Sequence, residues 1–345
     1  MRALAYLLAP ALVGGLGGCS LNAMTGNMMA DYSVKHVVPY VFETGDVDMA
    51  CKLGVSMGPF LLSFGRVTTP PDRSGIVTML SAGMCAEADA REAELDQLRA
   101  LKTGRAAEAQ DARVREHRAH EAAAARYQVA FQRFVRVFGE PGGGCRPIAK
   151  EDELLYLLGL TGGLLSVFHD RAAGGALGVP MDIPRKVAAG AACLDDGKFW
   201  GVPRALQAAV WASVPGSAPA GSPDPFVVLQ QSARAGQEKG LRLAGAFLAQ
   251  IAANAGKSDT LRTGIREHAA AVRNKPALEA YRTLDRYATM LVEHESDKLW
   301  TQATGHRTPV GSFGTFPEDE TKPPGGESDD KKDDSLLEGL ETEQK

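Results

Sequence analysis

Apolar residues recur at helical spacing along nearly the whole chain, and stretches alternating apolar with polar residues rich in Val, Ile and Thr are nearly absent. Such a chain can bury its apolar stripes only by packing helix against helix, so an all-α protein is expected. The pattern predicts helices over 21–32, 46–64, 72–102, 105–138, 150–169, 184–195, 202–214, 225–235, 241–253, 260–273 and 277–304. Thr69-Pro70-Pro71, Glu140-Pro141-Gly142-Gly143-Gly144 and the stretch 215–225 break the pattern between them. Short joints imply stacked antiparallel hairpins of the tetratricopeptide kind, although no clean repeat of about 34 residues is present.

The N-terminus reads as an export signal. Arg2 precedes an apolar run from Ala3 to Gly18, too short for a membrane span and ending in small residues. That run closes on Leu16-Gly17-Gly18-Cys19, which resembles the bacterial lipobox. Cleavage is then expected after residue 18, with Cys19 acylated as the mature N-terminus. Acyl chains contribute about 0.8 kcal/mol per buried methylene, so several of them would hold the body at a bilayer. Ser20, rather than Asp, follows the cysteine, which implies sorting to the outer membrane with the body facing the periplasm.

Four cysteines remain: Cys51, Cys85, Cys145 and Cys193. An even number in an oxidising compartment suggests disulfides, and of the three connectivities the sequential one, Cys51 to Cys85 and Cys145 to Cys193, is expected because each pair joins segments that should be neighbours. No CxxC spacing supports zinc binding or redox exchange.

The net charge of −4 is unevenly spread, because Pro317–Lys345 holds 11 acidic against 4 basic residues and leaves +3 on the rest. A body so near neutrality lacks the basic footprint of a nucleic-acid binder. The 317–345 tail is too poor in apolar residues to repay ordering and is expected to be disordered. Residues 105–126 are rich in Ala, Glu and Arg and read as the solvent-projecting half of a long helix.

No catalytic motif finds its context. Gly54-Val55-Ser56-Met57-Gly58 matches a nucleophile elbow, but that elbow needs a strand before the serine, and here the segment is helical. Gly256-Lys257-Ser258 ends like a phosphate loop without its beginning. His117 and His120 share a helical face beside Glu116 and Glu121, in a polar helix with nothing to orient a metal. Glu293, His294 and Glu295 read as a solvated face. No metal, cofactor or enzymatic activity is expected. The glycine run in Leu158-Gly159-Leu160-Thr161-Gly162-Gly163 weakens a helix, and either close helix contact or room for an apolar ligand would account for it.

Several segments resemble, in order and spacing, the TatT-type lipoproteins associated with TRAP transporters. They are Cys19-Ser20-Leu21, Leu154-Leu155-Tyr156-Leu157-Leu158-Gly159, the helix start from Gly197-Lys198-Phe199-Trp200-Gly201 to Leu206, Pro215-Gly216, Gly221-Ser222-Pro223, Leu243-Ala244-Gly245 and the closing Asp297-Lys298-Leu299-Trp300. The chain departs from that pattern in the charged insertion at about 103–126, the four extra cysteines and the acidic tail. The resemblance implies a helical domain over 19–316 with an internal apolar cavity or pore, association with a periplasmic solute-binding protein and a homo-oligomer. It is similar also to the outer-membrane lipoprotein component of bacterial sterol transport. A hydrophobic small molecule, lipid or sterol-like, is the expected ligand, held against Tyr156, Phe199, Trp200 and Trp211. A protein-interaction scaffold with no small ligand is the alternative.

Overall fold

The computed structural model describes residues 9–320, with side chains for 21–319. Residues 1–8 of the signal segment, the side chains of 9–20, Cys19 among them, and residues 321–345 of the acidic tail lie outside what is described. The helices are α1 (Ala9–Tyr32), α2 (Val38–Thr44), α3 (Val47–Ser63), α4 (Asp72–Lys102), α5 (Ala106–Phe138), α6 (Glu153–Ala172), α7 (Ile183–Ala191), α8 (Val202–Ser213), α9 (Pro225–Lys239), α10 (Leu243–Asn254), α11 (Ser258–Asn274), α12 (Arg282–Thr304) and the short α13 (Pro317–Glu320). No strand occurs among the described residues. The protein is all-α, and consecutive helices pack as hairpins from α3 round to α11.

Two features close this row on itself. Helix α12 packs against α10 on one side and against α4 and α2 on the other. Its contacts with α4 are polar: the Tyr287 hydroxyl donates to Glu87 at 2.5 Å, and His294 Nε2 lies 2.7 Å from Glu94 Oε2. The α2 end is pinned by Thr283, whose hydroxyl donates to the Val41 carbonyl at 2.6 Å and accepts from the Gly45 amide at 3.0 Å.

The first helix runs further than the sequence predicts. The apolar pattern ends it at residue 32, but α1 continues through a π-helical turn, Ser33–Val37, into α2, which carries Pro39 in its first turn. Proline has no amide to bond back along the helix, and the widened turn just before it, in which the Val38 amide reaches Ser33 O, absorbs the mismatch.

The glycine run in α6 is explained by close packing. A Cβ at Gly159 would stand 2.4 Å from the Phe134 ring, and one at Gly163 would stand 2.5 Å from the Phe131 ring. Helix α5 therefore lays its aromatic stripe directly on the backbone of α6. Gly163→Ala should cost about 1–3 kcal/mol by overpacking. Gly143→Ala, in open space, should stay within about 0.5 kcal/mol of wild type, and urea melts of the two proteins check both values.

Four readings need correction. The 105–126 half of α5 does not project freely: Ala109, Ala112, Ala123 and Ala124 are buried along α4, whose own small residues Ala90, Ala93 and Ala100 allow the close approach. His294 and Glu295 are buried rather than solvated, and Lys298 joins them to Glu94. His120 is oriented, as described below. Order also persists past Pro317, because Phe316 is fully buried under Arg262 and Arg266 while Glu318 and Asp319 pair with those same arginines. Composition alone hid this strap, since its single aromatic anchor sits just before the acidic run.

The disulfides join Cys51 to Cys85 and Cys145 to Cys193. The first ties α3 to α4; the second ties the glycine-rich loop after α5 to the loop after α7.

Candidate functional site

At the centre of the helical ring lies an apolar cavity with about 90 Å³ open to water. Helix periodicity builds its walls. Residues 154, 157, 158, 161 and 165 of α6 recur every three or four positions and so share one face, opposite the glycines that meet α5. Val77, Leu80, Ser81 and Met84 come from α4 by the same rule, Leu243, Ala246, Phe247 and Gln250 from α10, and Leu284, Tyr287 and Leu291 from α12. Phe42, Tyr127 and Val202 complete the lining together with Trp200.

One end of the cavity meets a buried polar cluster. The Tyr127 and Tyr287 hydroxyls both donate to Glu87 Oε2, at 2.7 and 2.5 Å. Glu87 Oε1 lies 2.7 Å from Arg91 Nη1, and His169 Nε2 stands 3.8 Å from Oε2. His169 Nδ1 in turn is 2.8 Å from His120 Nδ1, so the histidine that sequence left unoriented belongs to this cluster. Burial by itself would raise the Glu87 carboxyl, but the Arg91 guanidinium, His169 and the Tyr287 hydroxyl outweigh it and hold the group well below the usual carboxylate range. Burial and the neighbouring carboxylate push both tyrosines up, so they remain neutral donors. Among the described residues, no three His, Cys, Asp or Glu side chains converge as a metal site would require.

The wall itself offers few free polar atoms. Thr161 donates to the Leu157 carbonyl at 3.0 Å, and the tyrosine hydroxyls are engaged by Glu87. Gln250 and Ser81 make no side-chain hydrogen bond among the described residues. Among the described residues, no lysine or arginine lines the cavity.

Of the four aromatic residues that sequence proposes for a ligand, Trp200 lines the cavity. It has a left-handed backbone, φ 56°, unusual for a bulky residue and costing about 1–2 kcal/mol, and its indole meets the Tyr281 ring edge-on at 5.0 Å. Phe199 is buried behind it, and their centroids are 5.9 Å apart. Tyr156 packs against Phe134 and Phe138, and Trp211 is half-buried on α8; neither is among the lining residues. Sequence reasoning passed over Glu87, Arg91 and Tyr287. Their signal was present, because 77, 80, 84, 87 and 91 continue one face of α4 and place two charges in an otherwise apolar register.

Gly54 is a packing glycine, so close to α4 that a Cβ would stand 2.5 Å from the Ala82 amide nitrogen, whereas a Cβ at Gly58 would make ordinary contact with Met79, and Ser56 faces outward on a helix. Neither arrangement resembles a nucleophile elbow. Comparison with protein-family models, with curated proteins and with solved structures returns no match to this chain.

Proposed function

We propose that the protein is a lipid-anchored receptacle that holds a neutral, mostly hydrocarbon molecule in the central cavity. It is anchored through Cys19 at the outer membrane facing the periplasm, and it passes its ligand to a soluble solute-binding protein, as the resemblance to the TatT-type lipoproteins implies. The observation that carries this reading is the apolar cavity enclosed by helices from both ends of the chain and closed by a buried polar cluster around Glu87. Neutrality follows from the wall: no cation is there to meet a carboxylate or phosphate, and the Glu87 charge behind the tyrosines disfavours an anion. Gln250 and Ser81 can orient a single hydroxyl or carbonyl. Leu21, Met24, Met28 and Tyr32 stand exposed along α1 just after Cys19, which suits a helix that begins at a bilayer.

Mass spectrometry of the full chain purified from membranes tests both parts. The expected results are an acylated Cys19 peptide and a co-extracted neutral lipid, and the lipid should be lost from Ala246→Phe, which fills the cavity. An unmodified Cys19 peptide would remove the anchor. Extracts of wild type and Ala246→Phe that contain the same lipids, or none, would leave the interaction scaffold as the better reading.

A further inference from the structure

A second apolar space lies beside the first. It has about 200 Å³ open to water and sits between the α1–α2 helix and the α3–α4 hairpin. Val37, Val38 and Val41 roof it, Ala50, Leu53 and Met57 of α3 form one wall, and Thr78 of α4 faces them. Three residues, Phe42, Val77 and Ser81, line both this outer space and the central cavity. They are the partition between the two.

The roof is the weakest stretch of its helix. Ser33 and Val37 bound the π turn, where hydrogen-bond geometry is poorer than in an α-helix, and Pro39 withholds an amide just beyond it. The far end is fixed, because Thr283 pins Val41 and Gly45 to α12. Phe42, next to that pin, is buried, and its ring lies 6.5 Å from Tyr281, which meets Trp200 in the central cavity. Each space alone is below the roughly 300–1,000 Å³ of ordinary small-molecule pockets, so a chain-like ligand needs both.

We infer that the outer space is a second hydrocarbon-binding subsite and the way into the central cavity, with the Phe42 ring as the partition that an incoming chain displaces. This rests on the reading of the central cavity as a ligand site. The ligand class is the same, a neutral hydrocarbon chain, since the outer lining holds no charged side chain and its serines and threonine mostly cap nearby helix carbonyls.

The test uses the full chain and a neutral probe, a stearic acid methyl ester carrying a nitroxide near its chain end, which quenches nearby tryptophans. The Trp200 signal is the difference between wild type and Trp200→Phe, and its loss on mixing is followed in time. Phe42→Ala should speed quenching about tenfold, corresponding to a barrier lowered by about 1.4 kcal/mol. Ala50→Phe, which fills the outer space, should slow it by a similar factor and lower the final quenching, because a chain-like ligand needs both spaces. Should Ala50→Phe fail to fold, as judged by circular dichroism, Val37→Phe fills the same space from a partly exposed position. Equal rates in wild type, Phe42→Ala and the filled variant would overturn the route while leaving the central site intact. No quenching of Trp200 in wild type, or quenching undiminished in Ala246→Phe, would overturn the central site and this inference together.

Discussion

Replacing Arg91 by methionine should destabilise the protein by about 3–5 kcal/mol. The substitution keeps most of the apolar stem and removes only the guanidinium, leaving the buried Glu87 carboxylate with two tyrosine hydroxyls and His169, 3.8 Å away, as its remaining partners. An uncompensated charge in that position favours its own protonation. In wild type the Glu87 carboxyl is depressed below its unfolded value, so its contribution to stability is present above about pH 4.5 and is lost as pH falls through the lower folded value. In Arg91→Met the largest of the charges that offset burial is gone and only His169 and the tyrosine hydroxyl still oppose it, so the carboxyl rises and acid unfolding should begin at higher pH. Glu87→Gln added to Arg91→Met should recover part of the loss, because the amide oxygen still accepts from the tyrosines and no charge is stranded. Urea melts of the two single variants and the double variant give the coupling. A loss below about 1 kcal/mol in Arg91→Met would show that the pair is solvated and that the polar end of the cavity is open to water.

The second large effect is a pH dependence centred on His268. The ring is fully buried; Nε2 lies 3.1 Å from the Thr289 hydroxyl, and Nδ1 has no hydrogen-bond partner among the described residues. Burial, and then repulsion from Arg242, lower its pKa to about 3. Arg242 cannot move away, because its guanidinium is tied to Asp285 and to the carbonyls of Ala271 and Lys275. The unfolded chain therefore takes up a proton below about pH 6.5 that the folded protein refuses, and stability is lost as pH falls from there toward 3. At 1.4 kcal/mol per unit, the loss between pH 6.5 and 5 is about 2 kcal/mol, and over the whole window about 4–5 kcal/mol. His268→Gln, which can still bond Thr289 and carries no titratable ring, should remove that slope. The difference between the two proteins' shifts in urea midpoint from pH 7.5 to 5.0 isolates the histidine, because the other titrating groups are common to both and the depressed carboxyls of Glu87 and Glu94, the latter at about 2, act only below about 4.5. Equal pH dependence in both proteins would mean that the folded chain admits the proton.

The sequence by itself determined the all-α class and the bounds of most helices, while it left three connectivities for the four cysteines and favoured the sequential one. Helical period and proline and glycine breakers are local properties that survive without knowledge of partners. Start and end of α4 agree with the pattern to the residue, since Pro70-Pro71 and Gly104 bracket it. The tertiary structure decided what lies on each face. Only the return of α12 onto α4 brings Tyr287 to Glu87, two hundred residues away in the chain, and turns two charges in an apolar stripe into the floor of a cavity. Only the seating of Phe131 and Phe134 on Gly163 and Gly159 separates the packed face of α6 from its cavity face. The aromatic residues Tyr156 and Phe199 looked as suited to a ligand as Trp200 did, because a side chain's chemistry is the same whether it faces a void or a neighbour. Which of these it faces depends on how the helices close the ring, and that is a long-range outcome carried by no local pattern.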